Sequence, residues 1–281
     1  MTYQSDKPLA IIAGEGELPH LILLARQEQH AENFIIAIKG KTPEAVTKGV
    51  EHQWFRFGAV GEMLEVLAKR GITQLVLAGR ISRPSLASLF PDSKARELLK
   101  MLGSGLLSGD NRLLSKVVQF LEQHNINVVG AHEICGTMLA DSGVMTQSKP
   151  TQQHDEDAKL GAKLLHDIAP YDVGQAMVIE AGAVVAIEGM EGTAELLRRS
   201  SAFTQGAAIL VKTPKSNQEL RADMPAIGVE TIHSLKEHGF AGVYLTAGKT
   251  LMLNKNAIIA VANQAQIFVV GLEEVRTCLT V

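Results

Sequence analysis

Aromatic residues are scarce in this chain. They make up 4% of its 281 residues, with three tyrosines and one tryptophan. Its cores must therefore be aliphatic, and it has few rings on which bases could stack. Cysteine is nearly absent. Cys135 and Cys278 lie far apart and form no C-x-x-C, which argues against a disulfide framework and a zinc knuckle and suits a reducing cytosol. No charge sign dominates: 27 basic and 30 acidic residues leave a net charge of −3, giving no global attraction to nucleic acid. No apolar run approaches the length of a bilayer span. The segment Met1–Pro8 lacks the apolar stretch of a secretory signal. A soluble, cytoplasmic protein is expected, with contact at a membrane surface left open. There is no Walker A sequence and no G-x-S-x-G elbow.

Aliphatic residues and glycine are plentiful: hydrophobic residues reach 46%, and there are 25 glycines. The length suits two domains or one large one. Short apolar runs at 9–13, 34–38, 75–78 and 127–130 read as buried strands. Helical spacing falls between them, with Leu21, Leu24 and Ala25 on one face, then Met63, Leu64 and Leu67, then Leu113, Leu114, Val117, Val118 and Leu121 behind Asp110. This alternation predicts parallel βαβ units, a Rossmann-like domain over 1–140. Turn chemistry at 135–150 marks a boundary. Over 141–281 a second α/β domain with a mixed sheet is expected. It includes a helix with Leu160, Leu164, Leu165 and Ile168 inward, a hairpin at Glu180-Ala181-Gly182 and a helix capped by Asn254.

Open α/β sheets bind ligands at the carboxyl ends of their strands. Gly14-x-Gly16-x-x-Pro19 leaves the first strand there. It imitates a dinucleotide fingerprint, but proline replaces the third glycine and Lys39 stands where an acid would bind ribose. A tight turn and a phosphate cradle both remain open. Gly79-Arg80-Ile81-Ser82-Arg83-Pro84 follows another strand and offers two guanidinium groups to phosphate, or a solvated loop. The apolar stretch from Leu86 to Met101 suits a lid, a lipid-facing surface or an ordinary amphipathic helix. His154-Asp155-Glu156-Asp157 reads as a metal cluster or as the acidic start of a helix. In Glu188-Gly189-Met190-Glu191-Gly192-Thr193, carboxylates, backbone N–H groups and a hydroxyl come together before a helix, which suits a metal, sugar hydroxyls or a plain N-cap with a glycine-rich turn, and Gln175 just before its strand is placed to contribute. Most chemistry is concentrated in Lys212 and in Arg221-Ala222-Asp223-Met224-Pro225-Ala226-Ile227-Gly228. There a carboxylate lies between cations in a loop stiffened by proline, which suits a divalent metal or a polyanionic substrate.

Taken in order, Ile11-Ile12-Ala13-Gly14-x-Gly16-x-Leu18-Pro19, Leu77-Ala78-Gly79-Arg80-x-Ser82-Arg83-Pro84, Gly109-Asp110-x-x-Leu113-Leu114, Val129-Gly130-Ala131-His132-Glu133, Asp172-Val173-Gly174-Gln175-Ala176, Ile187-Glu188-Gly189-x-Glu191-Gly192-Thr193, Val211-Lys212 and Asp223-x-Pro225-x-Ile227-Gly228 resemble the LpxI-type UDP-2,3-diacylglucosamine pyrophosphatases of lipid A synthesis. The resemblance spans nearly the whole chain. It implies hydrolysis of UDP-2,3-diacylglucosamine to UMP and 2,3-diacylglucosamine 1-phosphate (lipid X). It also implies a divalent cation such as Mg²⁺, two domains with the lipid product held between them, and an essential aspartate at Asp223. The expected catalytic residues are Asp223, also the metal ligand, and Lys212. Substrate contacts are expected from Ala13, Gly14, Gly79, Arg80, Asp110, Gln175, Glu191, Gly192, Thr193, Arg221 and Gly228. The Glu-Gly pair occurs twice here. Aligning Glu191-Gly192-Thr193 leaves the role of Glu188 open. Peripheral contact with the inner membrane and a homodimer are compatible with this reading. The alternative is a protein of the same architecture that binds or senses a nucleotide-sugar or lipid-sugar without turnover.

Overall fold

The structure, a computed structural model, describes residues 3–81, 91–103, 110–216 and 218–273. Ser82, Arg83, Pro84, Gly109 and Cys278 lie outside them, as does Leu86–Phe90 of the apolar stretch. The chain divides into two compact units. The first comprises Met1–Gly136 with Glu219–Asp223, and the second Thr137–Gln218 with Met224–Val281.

The first unit runs β1 (Leu9–Ala13), α1 (Leu18–Glu28), β2 (Asn33–Ile38), α2 (Glu44–Thr47), β3 (His52–Phe55), α3 (Val60–Lys69), β4 (Gln74–Ala78), α4 (Ser93–Leu102), α5 (Asp110–Gln123), β5 (Asn127–Val129) and α6 (Ala131–Ile134). Its sheet has the order β3-β2-β1-β4-β5, and every pairing is parallel. The strands β1 and β2 are apolar almost throughout because helices cover both faces of a parallel sheet. Phe34, Ile36, Leu75 and Val128 pack with Met63, Leu67, Val118 and Leu121. Gly71, at φ +65°, supplies the left-handed stop after α3. Asp92 caps α4 by accepting from the Ala95 N–H at 2.7 Å, and its second oxygen takes the Gly61 N–H at 2.7 Å.

The inward face of α1 differs from the expected one. Ile22, Leu23 and Arg26 are buried, while Leu24 is 43% exposed. The reason is Arg26. Its fully buried guanidinium donates to the carbonyls of Ser5, Lys7 and Glu32, to Tyr3 Oη and to Asn33 Oδ1, and so ties the amino-terminal segment to the sheet.

The second unit runs β6 (Gly143–Val144), α7 (Gln152–Ile168), β7 (Ala176–Glu180), β8 (Ala183–Ile187), α8 (Thr193–Ser200), β9 (Ile209–Lys212), β10 (Ala226–Ile227), α9 (Val229–Glu237), β11 (Gly242–Thr246), β12 (Leu251–Met252), α10 (Lys255–Ala265) and β13 (Phe268–Leu272). The main sheet has the order β6-β13-β11-β9-β7-β8. Its centre, β9-β11-β13, is parallel, while β7, β8 and β6 add antiparallel pairings. Alternate residues feed two cores. Val178, Leu210, Val243 and Val269 belong to one, while Ile179, Ile209, Val211 and Tyr244 join α7 residues such as Ala158 and Leu165 in the other. Helix α7 lies close because it presents Gly161, where a Cβ would meet Ile179 Cδ1 at 2.8 Å and Val211 Cγ2 at 2.9 Å. The hairpin at 180–182 forms as expected, and Asn254 caps α10 through Ala257 N–H.

Candidate functional site

In the first unit, β1 and β4 lie side by side, and Ala13 is in register with Ala78. The next residues are Gly14 and Gly79. This is the point where the sheet's connections diverge to opposite sides, the usual ligand position in such sheets. The Gly14 N–H donates to the Ala78 carbonyl at 2.7 Å. Beyond it, Glu15 N–H donates to the Arg80 carbonyl and Arg80 N–H donates to the Glu15 carbonyl, each at 2.9 Å. A Cβ on Gly14 would meet the Arg80 carbonyl oxygen at 2.5 Å, and one on Gly79 would meet that of Glu15 at 2.5 Å. The two strand exits are therefore pinned together by backbone, and glycine is what permits the approach. The amino end of α1 opens beyond, with Pro19 in its first turn. Asp110 is the first residue of α5.

The second unit gathers side chains instead. Lys212 ends β9, Gln175 precedes β7, Glu188 follows β8 and Thr193 begins α8. Because β7 runs antiparallel to both β8 and β9, its start meets their ends, and Ala176 is in register with Lys212. Lys212 Nζ donates to Thr193 Oγ1 at 2.9 Å. That hydroxyl donates to Glu188 Oε1 at 2.7 Å, and Glu188 Oε2 accepts the Gln175 N–H at 2.9 Å. Gln218 Nε2 donates to Gln175 Oε1 at 3.2 Å. Lys212 and Glu188 are only 7% and 6% exposed, so a cation and a carboxylate are both held in a largely dry place. Close by in the chain, Lys215 pairs with Asp172.

Glu191 goes elsewhere. It is exposed and pairs with Arg199 at 2.8 Å. Hydrogen bonds from its own backbone N–H and from Arg199 hold its carboxyl below the usual range. Gly192, at φ +81°, turns the chain into α8. The carboxylate in the network is Glu188, whose role the sequence left open. Gly228 is the N-cap position of α9.

Asp223 closes a segment that leaves the second unit to pack with the first. There the Glu219 N–H donates to Asn111 Oδ1 of α5 at 2.9 Å, and Ala222 packs against the sheet core. Arg221 gives Nε to Glu219 at 2.9 Å and Nη1 to Glu122 of α5 at 2.6 Å. Glu219 first and Glu122 after it raise the Arg221 pKa above its already high value. This guanidinium is committed to two carboxylates and anchors the segment that carries Asp223. Asp223 is half-buried, and its N–H donates to the Glu219 carbonyl at 2.9 Å.

Among the described residues no group of three or more His, Cys, Asp or Glu side chains is arranged to hold a metal. The suspected cluster at 154–157 has other duties. His154 completes a capping box with Thr151, Asp155 accepts from Tyr244 Oη at 2.7 Å, and Asp157 takes the Gly182 N–H at 2.7 Å. His132 sits against Gly130, and burial lowers its pKa.

Fold and site together define a class: a two-unit α/β protein with glycine strand exits on a parallel sheet and a buried lysine at the edge of a mixed one. Comparison with known proteins makes it specific. The LpxI N-terminal domain model matches residues 8–138, and the LpxI C-terminal domain model matches residues 141–270. The chain is also 30% identical over 275 residues to UDP-2,3-diacylglucosamine pyrophosphatase LpxI of Caulobacter vibrioides, covering 95% of this chain and 98% of that one. The chain belongs to the LpxI family.

Proposed function

We propose that this protein hydrolyses the pyrophosphate bond of UDP-2,3-diacylglucosamine, giving UMP and 2,3-diacylglucosamine 1-phosphate for lipid A biosynthesis. The observation that carries the reading is similarity along both units to a pyrophosphatase named for that substrate, covering 98% of the relative.

A pyrophosphate repels an incoming hydroxide, so catalysis must neutralise charge and position water. Lys212, a buried ammonium, is assigned to the phosphoryl oxygens, where a dry surrounding strengthens its field. Asp223 is assigned to orienting water and to holding a divalent cation. With a single carboxylate assigned to it, the cation is of the Mg²⁺ kind that keeps positions for substrate and water, rather than a caged metal. A single carboxylate such as Asp223 suffices when substrate phosphates and water fill the remaining positions. When bound, the cation would supply charge neutralisation at the phosphoryl oxygens. The backbone at Gly14 and Gly79, with Ala13, Arg80 and the start of α5 at Asp110, is assigned to the uridine and phosphate portion. Gln175, Thr193 and the turn at Gly192 are assigned to the acylated sugar. Arg221 is assigned to anchoring Asp223, and Gly228 to the turn behind it.

The substrate is an amphiphile, and the chain just before Gln175 and just after Glu188 carries Tyr171 and Met190, 80% and 107% exposed. We assign these side chains to peripheral contact with a membrane surface. Among the described residues no helix is long and apolar enough to cross a membrane. Incubating the protein with UDP-2,3-diacylglucosamine and Mg²⁺ should release UMP. Binding of the nucleotide-sugar without UMP would replace this reading with that of a sensor.

A further inference from the structure

We propose that Glu188 is a positioning residue for the hydrolysis: it orients the Thr193 hydroxyl so that its oxygen accepts from, and fixes, the Lys212 ammonium. The proposal rests on the assignment of Lys212 to the phosphoryl oxygens.

Glu188 is held on both sides before its side chain acts. Its N–H donates to the Ala176 carbonyl at 2.9 Å, and its carbonyl accepts the Gly174 N–H at 3.0 Å. Gly174 permits this approach, since a Cβ there would stand 2.2 Å from the Glu188 carbonyl oxygen and 2.5 Å from its Cβ. Both carboxylate oxygens are then in use, Oε2 by the Gln175 N–H and Oε1 by the Thr193 hydroxyl. A threonine hydroxyl has one proton to give. Here it goes to Glu188 over 2.7 Å, so the contact with Lys212 Nζ at 2.9 Å must be one in which the hydroxyl oxygen accepts. The carboxylate thereby sets the direction of a hydroxyl, and the hydroxyl fixes one of the three N–H bonds of the lysine. Charge-assisted bonds of this kind are strong where water is excluded. The carboxylate also offsets the cost of burying the ammonium. Glu191 is not placed for this, since it is exposed and paired with Arg199.

Glu188→Gln tests the idea while preserving shape. The amide oxygen must stay toward the Gln175 N–H, which turns the NH₂ group toward Thr193. The hydroxyl then loses the acceptor that set its direction, and its oxygen faces two donors, the amide and Lys212. Steady-state kinetics of UMP release should show kcat lowered about tenfold to a hundredfold, with KM changed by less than about threefold, as expected for loss of one charge-assisted bond that acts on the transition state. Thr193→Val should lower kcat similarly, and Thr193→Ser should restore it. The double variant Glu188→Gln/Thr193→Val should be no slower than the worse single variant by more than about threefold, because both break one chain of contacts. An unchanged kcat for folded Glu188→Gln, or factors that multiply in the double variant, overturns the proposal. Thermal melts separate folding from kinetics. If Glu188→Gln does not fold, Glu188→Asp takes its place, with the same expected pattern and the same overturning outcomes. Lys212→Met distinguishes the two levels. If it retains full activity, the underlying assignment of Lys212 fails. If it is inactive while Glu188→Gln is normal, only the role of Glu188 fails.

Discussion

The two units build their candidate sites from different materials. At the carboxyl edge of the first sheet, the ends of β1 and β4 present glycines and paired backbone groups, with Gly14 and Gly79 in mutual contact. At the corresponding edge of the second sheet, Glu188 after β8, Thr193 at the start of α8 and Lys212 at the end of β9 are linked by short hydrogen bonds. Backbone dipoles are fixed in place and need no side-chain order, but they tolerate no added Cβ. A side-chain network brings a full charge, and each member depends on its partner. The first arrangement should fail through geometry and stability, and the second through rate.

The largest effects test the second arrangement together with the segment the first unit receives. Asp223→Ala should lower kcat by about a thousandfold or more, and Lys212→Met by about a hundredfold, the scale expected when a metal-binding or electrostatic group is lost from the reaction centre. Neither should shift the melting temperature by more than about 3 °C. Chelation with EDTA should reduce UMP release, and added Mg²⁺ should restore it. An Asp223→Ala enzyme with normal kcat would leave the family intact and remove the proposed site.

The next largest effect belongs to the backbone-built edge. Gly79 has φ +84° and no space for a Cβ, while Gly16 has φ +99° in open surroundings. Both alanine variants bear left-handed strain of about 1–3 kcal/mol, but only Gly79→Ala also drives a Cβ against a carbonyl oxygen. Urea titrations should therefore show Gly79→Ala as the less stable, by at least about 1 kcal/mol beyond Gly16→Ala. Equal losses would mean that the strand exits separate easily, and the contrast between the units would weaken.

What the sequence reveals follows the same division. The parallel sheet is legible because 9–13, 34–38 and 75–78 are continuous apolar runs, the first and last running straight into glycine, a local signal. The hairpin is legible because Ala181-Gly182 takes up left-handed backbone between two β-rich runs, both residues having positive φ. Lys212, Thr193 and Gln175 could be chosen as residue types, but not the carboxylate that joins them. Glu188 and Glu191 both precede glycine, and only pairing of β7 with β8 decides which one faces the network. The commitment of Arg221 to Glu122 spans 99 positions and has no local trace. The inward face of α1 was hidden because an arginine occupies an apolar-looking slot. The strands β10 and β12 have two residues each, too few for any period to appear.

A smaller effect concerns the surface. Among the described residues, Tyr171, Val173, Val184, Met190 and Phe203 make the second unit the richer in exposed large apolar side chains. If that asymmetry serves a lipid substrate, Tyr171→Ser/Met190→Ser should lower binding to vesicles containing anionic phospholipid by about tenfold, in line with the apolar area withdrawn from the interface. Hydrolysis of a short-chain, soluble substrate analogue should be unchanged. Equal vesicle binding by the variant and the parent protein would reduce these residues to ordinary surface.

The smallest effect examines how the Asp223 segment is held to the first unit. The hydrogen bond from Arg221 is the main cause that lowers the Glu219 pKa, against an opposing contribution from burial. A carboxyl lowered in the folded state contributes stability that is complete above its unfolded pKa, near about 4.3, and is lost as pH falls through the folded value. Arg221→Met should thus lower the melting temperature at pH 7 by about 2 °C. The gap to the parent protein should close as the pH is brought from 5 toward 3. The pair is partly exposed, with side-chain exposures of 33% for Arg221 and 19% for Glu219, so salt should narrow the gap as well. A gap that persists at low pH would mean that Arg221 acts through packing of its stem rather than through charge. The segment carrying Asp223 would then be fastened to the first unit much as the strand exits are, by fit.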